Sequence, residues 1–240
     1  MYITKVIDGK GQEQFDWEAY FSQQSQDEAE IIKIMDLENT VKNLRKHLRE
    51  DMPLMVFTLG KMMLKLMEGL DFKKPEILEL GAATGFLTKW LLEQCGGGSG
   101  VLVDKSEASH KAFLSKGGYL TSSITYLIED VFTLNLEKKF DIVCSFGLVE
   151  HFPDKAAIID VHKKFVKDSG IIIILVPLNT PLSRAFFEVH PELNLGYREL
   201  LTMKELYNCL SQYQLEVLRA EESRGYTYDY LGVLCKKMTH

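Results

Sequence analysis

The stretch Pro75 to Trp90, PEILELGAATGFLTKW, constrains this chain more than any other. Ile77, Leu78 and Leu80 form a short apolar run suited to a strand buried on both faces. Gly81 to Gly85 break the run, and Phe86 to Glu93 resume at helical spacing. The expected order is strand, tight turn, helix. At the carboxyl edge of a parallel sheet such a turn leaves backbone N–H groups at a helix start, and its small side chains admit a nucleotide-like ligand close to the backbone. Glu79, two residues before Gly81, is placed to accept hydrogen bonds from a cationic ligand or from the N–H groups of the turn itself. The small residues fall at Gly81, Ala83 and Gly85, with Phe86 where a third glycine would stand, so the G-x-G-x-x-G of a dinucleotide site is not met. An NAD-linked oxidoreductase therefore begins with a misfit. Glycines kept for packing alone are the other reading of the turn.

ELGAATG resembles the E/D-x-G-x-G-x-G turn of the class I S-adenosylmethionine-dependent methyltransferases, with Ala83 in place of the middle glycine. The resemblance implies an α/β fold with a doubly wound, seven-stranded, mostly parallel sheet of order 3-2-1-4-5-7-6, the last strand antiparallel. It also implies bound S-adenosyl-L-methionine, held in part by Glu79, Gly81, Ala83, Thr84 and Gly85, and a small-molecule methyl acceptor. Oxygen is the favoured acceptor atom, with nitrogen or carbon open, in secondary metabolism or cofactor biosynthesis.

Further strand ends extend the pattern. Val101 to Val103 read as a second strand ending at Asp104, about 20 residues beyond the glycine turn, where a carboxylate accepts hydrogen bonds from ribose hydroxyls. An N-cap for the helix over 106–116 is the alternative role, although Ser106 can supply that cap. The segment VDKSE resembles the ribose-binding segment of the family and brings in Lys105. A third strand, 123–128, ends at Glu129 and Asp130, and the resemblance gives Asp130 the adenine amino group and Val131 the ring face. A fourth strand, KFDIVCS, runs into FGLVEHFPD, which resembles the family's D-x-V-x-S/A-x-x-x-x-E-H stretch. That likeness puts Phe146 and Gly147 beside the cofactor and makes Glu150 and His151 the catalytic candidates. A histidine titrates near neutrality and can take a proton from an acceptor hydroxyl, or it can simply orient the helix that follows.

A helix over 153–167, with Lys163, Lys164 and Lys167 near its negative end, and a fifth strand over 170–177 come next. The segment 178–201 is too long for a simple connection. In the resembling enzymes such an insertion covers the acceptor, which makes His190, Tyr197 and Arg198 substrate contacts; solvated surface charges are the alternative. Thr202 with Glu205 forms a capping-box pattern at the start of a helix, and strands over 215–220 and 226–235 close the chain.

Residues 1–70 are expected to form an amino-terminal helical lid and residues 71–240 the cofactor-binding core. The aromatic segment FDWEAYF either caps a pocket or pins an arm to the body, and Tyr20 is its substrate-side candidate by likeness to the family's lids. Apolar spacing predicts one amphipathic helix over 27–50 and another over 54–70. The second is rich in methionine, a stripe that fills a core or walls an apolar pocket.

Composition limits the alternatives. A chain of 240 residues with 46% hydrophobic and 26% charged residues suits one domain with a full core. The longest apolar run, Ile171 to Val176, falls far short of the roughly 20 residues a membrane span needs. The amino terminus lacks the basic start and apolar stretch of a secretory signal, so the chain is expected to remain in the cytoplasm. Four separated cysteines without metal-ligand spacing suggest reduced thiols and no metal. A net charge of -6 disfavours a nucleic-acid partner, and monomer and homodimer both stay open. A cofactor-binding relative without catalysis is a further alternative.

Overall fold

Seven strands make one mixed sheet in the computed structural model, which describes residues 2–3, 17–18, 53–115, 123–190, 196–224 and 228–238. The strands are β1 (Glu76–Leu80), β2 (Ser99–Asp104), β3 (Ile124–Ile128), β4 (Phe140–Phe146), β5 (Val166–Pro177), β6 (Leu215–Ser223) and β7 (Tyr230–Lys237). Their spatial order is β3-β2-β1-β4-β5-β7-β6, and β7 runs antiparallel to both neighbours. This is the expected order. Register pairs Leu80 with Val103 and Asp104 with Ile128, so the carboxyl ends of β1, β2 and β3 meet at one edge. Ligands of open α/β sheets bind outside that edge.

Alternation along the strands divides the core. Ile77, Ile142, Cys144, Ile171 and Ile173 face one layer, where α1 (Pro53–Met67) and α2 (Phe86–Gln94) pack Met62, Met63, Leu66, Trp90 and Leu91 against them. Leu78, Leu80, Val143, Ile172 and Ile174 face the other layer, covered by Ile158, Ile159 and Phe165 of α4 (Lys155–Phe165) and Leu206 and Leu210 of α6 (Met203–Gln212). Each of these side chains contributes about 1.5–3 kcal/mol by leaving water. Met62 and Met63 of the methionine stripe are core, each 2% exposed beneath the sheet. The helix expected over 27–50 lies outside the described residues.

One boundary differs from expectation. The helix before β5 ends at Phe165, and β5 begins at Val166, not at Gly170, because Val166 pairs with Phe140 across a register shift in β4. Lys167 consequently belongs to the sheet and bridges Asp141 at 2.9 Å and Glu76 at 3.3 Å instead of facing a helix terminus. The last strand also starts later than expected, at Tyr230, and Tyr226 lies outside the described residues. The capping box of α6 is as read, with Thr202 and Glu205 each satisfying the other's backbone N–H. No helix among the described residues is long and apolar enough to cross a membrane.

Candidate active site

The bend after β1 is built from left-handed backbone, with φ of 64° at Gly81, 47° at Ala83 and 72° at Gly85. At two of these positions an added Cβ would also displace a neighbouring leucine side chain. A Cβ on Gly85 would lie 2.3 Å from Leu102 of β2, and one on Gly81 would lie 2.7 Å from Leu148 in the loop after β4. Gly85 thus lets α2 sit close on the sheet, and Gly81 lets the two loops touch. Buried Glu79 accepts the Thr88 N–H at 2.8 Å, tying the first turn of α2 back to β1. Of the two roles read for that carboxylate, this one concerns the chain's own amides. Thr84 is buried within the same bend.

Asp104 sits at the tip of β2 with both oxygens engaged. Oδ2 accepts the Ala83 N–H and Oδ1 the Ser106 N–H, each at 2.9 Å. Burial pushes its carboxyl above the usual range, while those two N–H groups and Lys105 pull the other way. Ser106 Oγ accepts the Ser109 N–H at 3.1 Å and caps α3 (Glu107–Ser115), which leaves Asp104 facing the crevice. A carboxylate has about four acceptor positions, so two backbone bonds leave room for ligand hydroxyls.

That crevice is lined by Gly81, Asp104 and Lys105 at its floor and by Glu129, Asp130 and Val131 from the end of β3. Phe132, Leu148, Phe152 and Trp17 complete the wall. Asp130 accepts the Phe132 N–H at 2.9 Å. Sequence reasoning placed Asp104, Lys105, Asp130 and Val131 together, and the structure brings them to one opening. It missed Trp17 and Glu18. Trp17 stands edge-on to the His151 ring at 4.8 Å, and Glu18 accepts the Glu107 and Ala108 N–H groups at 2.7 and 3.2 Å at the start of α3. The signal was the aromatic segment FDWEAYF, read through Tyr20, which lies outside the described residues.

Beyond Leu148 the chain makes a 3-10 turn, Val149–His151, that buries Glu150 and His151. His151 Nδ1 lies 2.8 Å from the Tyr197 carbonyl. A carbonyl only accepts, so Nδ1 carries the proton and Nε2 presents its lone pair, 3.8 Å from Glu150 Oε1. Burial, with the nearby Arg198 and Lys155 cations, holds His151 well below its ordinary range, so the ring is neutral. Burial pushes Glu150 up to about 7, against Arg198 and Lys155. Glu150 Oε2 has no hydrogen-bond partner among the described residues.

The 178–201 insertion packs against the turn that holds His151. Its helix α5 (Pro181–Val189) is pinned by a buried network in which Thr180 Oγ1 donates to Asp229 Oδ2 at 2.7 Å and Asp229 N–H donates to Ser183 Oγ at 3.0 Å. Arg198 lies 4.3 Å over the Phe187 ring, Lys155 pairs with Glu199 at 2.7 Å, and the Tyr197 hydroxyl donates to Glu199. Tyr197 and Arg198 therefore join the His151 cluster. His190 ends α5 against Phe186, ring centroids 4.6 Å apart, and is not among the residues lining the crevice. Phe146 packs on Tyr230 at 5.3 Å, and the Gly147 N–H, at φ 68°, donates to the Leu175 carbonyl. Among the described residues no group of three or more His, Cys, Asp or Glu is arranged to hold a metal ion.

Comparison with known proteins points the same way. The family model described as Methyltransferase domain matches residues 57–220. A 128-residue stretch is 30% identical to the mitochondrial ubiquinone biosynthesis O-methyltransferase of Dictyostelium discoideum; it takes up 49% of this chain but only 38% of that protein's length. Among solved structures, the 1,6-didemethyltoxoflavin-N1-methyltransferase of Burkholderia thailandensis superposes with a TM-score of 0.61 at 16% identity, covering 98% of this chain and 99% of that one. Magnesium protoporphyrin IX methyltransferase of Synechocystis PCC 6803 superposes with a TM-score of 0.59 at 13% identity over 76% and 82% of the two chains. At such identities the likeness concerns the fold.

Proposed function

The chain belongs to the methyltransferase-domain family, and on that premise we propose that it transfers a methyl group from S-adenosyl-L-methionine to a small-molecule acceptor, with oxygen favoured as the methylated atom. The observation that carries this reading is one crevice shared by the glycine bend, Asp104, and the Asp130–Val131 pair, with the Glu150–His151 turn next to it through Leu148. These residues fit an adenosine. Asp104 keeps acceptor positions for ribose hydroxyls, Asp130 offers a carboxylate to the adenine amino group beside apolar Val131, and the bare Cα of Gly81 admits close approach. The curated relative acts in ubiquinone biosynthesis as an O-methyltransferase, and the Burkholderia structure holds S-adenosylhomocysteine; both support the cofactor and a small acceptor without naming the acceptor here.

When bound, the cofactor supplies a methyl group made electrophilic by a sulfonium centre. The residues of this chain align and desolvate. Positioning of two reactants contributes about 7–11 kcal/mol, the largest share of the acceleration. Trp17 and Phe152 exclude water along the crevice, and the 178–201 insertion, which brings Tyr197 and Arg198 to the His151 turn, covers the acceptor. The Glu150–His151 pair receives the proton that the acceptor gives up, an effect of about 10²–10⁴-fold in rate.

Calorimetric titration with S-adenosylhomocysteine and, in parallel, NADH is the direct test. Saturable binding of the first and none of the second is expected, followed by S-adenosylhomocysteine release with phenolic, amine or carboxylate acceptors. Preference for NADH would replace methyl transfer with hydride transfer on the same architecture. Binding without turnover across the whole acceptor panel would favour a non-catalytic relative.

A further inference from the structure

Glu150 and His151 are neighbours in sequence, yet their environments assign them different work. His151 has its Nδ1–H committed to the Tyr197 carbonyl, and the Trp17 ring edge lies 4.8 Å away, so the imidazole is fixed from two sides. Glu150 is 1% exposed, and its Oε2 has no hydrogen-bond donor among the described residues, although a buried carboxylate oxygen left so is costly. It lies between Leu148 and Phe152, both of which line the crevice. On its inner side stands Gly147, where even an added Cβ would come only to 3.6 Å of Oε1. The carboxylate thus sits in the 3-10 turn after β4 with one oxygen lacking a donor among the described residues.

We propose that the missing donor is the acceptor's own nucleophilic hydroxyl, so that Glu150 is the proton-accepting catalytic residue and His151 is a positioning residue that holds the turn through Tyr197. This rests on the methyl-transfer reading above. As the acceptor oxygen forms its bond to the methyl carbon, the O–H proton passes to Glu150 Oε2 and the carbon–sulfur electron pair returns to sulfur. The products are a methyl ether, a neutral thioether and a carboxylic acid, and charge balances. The groups facing Glu150 are His151 on its own turn, Lys155 from α4, Arg198 from the insertion and Tyr228 before β7. Lys155 is paired with Glu199, which leaves burial as the dominant influence and brings Glu150 up to about 7, within reach of a phenolic proton near neutrality.

The probe is 4-nitrocatechol, whose ionisation is visible in its absorbance, added to the protein saturated with S-adenosylhomocysteine. Near pH 6.5 the wild type is expected to bind the probe with the spectrum of the ionised catechol, and Glu150→Gln to bind it un-ionised or at least tenfold more weakly. His151→Asn is expected to keep the ionised spectrum at reduced affinity. Identical spectra and affinities for wild type and Glu150→Gln, or loss of the ionised spectrum in His151→Asn alone, would overturn the assignment, as would a wild type that binds S-adenosylhomocysteine but not the probe. Should Glu150→Gln fail to fold, Glu150→Asp is read instead: the pH midpoint of probe ionisation must move, and an unmoved midpoint counts against Glu150. Failure to bind S-adenosylhomocysteine at all would instead remove the methyl-transfer reading, so the two failures are told apart.

Discussion

Asp104 Oδ2 accepts the backbone N–H of Ala83 at 2.9 Å, so a carboxylate at the tip of β2 holds the bend that follows β1. In the proposed mode of binding, the same side chain would accept the ribose hydroxyls and shape the bend beneath them. Replacing it removes both at once. Asp104→Ala is expected to weaken S-adenosylhomocysteine at least tenfold, about 1.4 kcal/mol, by calorimetry. Unchanged affinity would detach the ribose from this carboxylate.

Gly85 combines a φ of 72° with a would-be Cβ 2.3 Å from Leu102 Cδ1. Gly85→Ala is therefore expected to destabilise the fold by about 2–4 kcal/mol, read as a lower urea midpoint. Adding Leu102→Ala should remove the steric share of the effect but leave the backbone share, so the second substitution is less costly in the variant than in the wild type.

His162 of α4 is fully buried, with Nδ1 donating to the Ile158 carbonyl and Nε2 accepting from Ser145 Oγ at 2.9 Å. Burial lowers it to about 4 from 6.5. The unfolded chain takes up this proton first as pH falls, so the stability contributed by the neutral ring is complete above 6.5 and declines as pH drops through that window towards 4. His151 acts in the same direction, and Glu150, raised to about 7, acts oppositely between 4.5 and 7. The contribution of His162 is isolated by comparing urea midpoints of wild type and His162→Gln from pH 7 to pH 4. The variant should lose up to about 3 kcal/mol less across that range; parallel curves would contradict a ring held neutral by burial.

The chain has two tryptophans, and Trp90 is core at 2% exposure. Emission changes on cofactor addition must therefore come chiefly from Trp17, which lines the crevice. S-adenosylhomocysteine is expected to alter the fluorescence of the wild type and leave that of Trp17→Phe nearly unchanged. Glu18→Gln, which weakens the hold on the Glu107 and Ala108 amides, should reduce the change without altering the unfolding midpoint.

Much of this architecture was legible before any coordinates because strand tips carry local signals. Ile77 to Leu80 and Ile171 to Val176 can be little else than buried strands, and Asp104 at the tip of β2 and Asp130 just past β3 come to one crevice. The α4–β5 boundary was not legible, since Val166 leaves the helix for a pairing with Phe140 that local periodicity does not encode. Trp17 was seen only as part of an aromatic cluster: choosing it over Tyr20 takes knowledge of where His151 and α3 lie in space. The contrast between Glu150 and His151 was hidden for the same reason, because their burial sets their protonation and depends on residues far along the chain that pack on the turn, Tyr197 and Arg198 among them.

The contact between Gly81 and Leu148 has a practical corollary. A Cβ at Gly81 would come within 2.7 Å of the Leu148 side chain, so the bend after β1 and the loop after β4 pack directly on one another. Resizing Leu148 will therefore disturb the bend after β1 as well, so libraries aimed at the crevice should vary Phe132 or Phe152 on its wall and leave that contact alone.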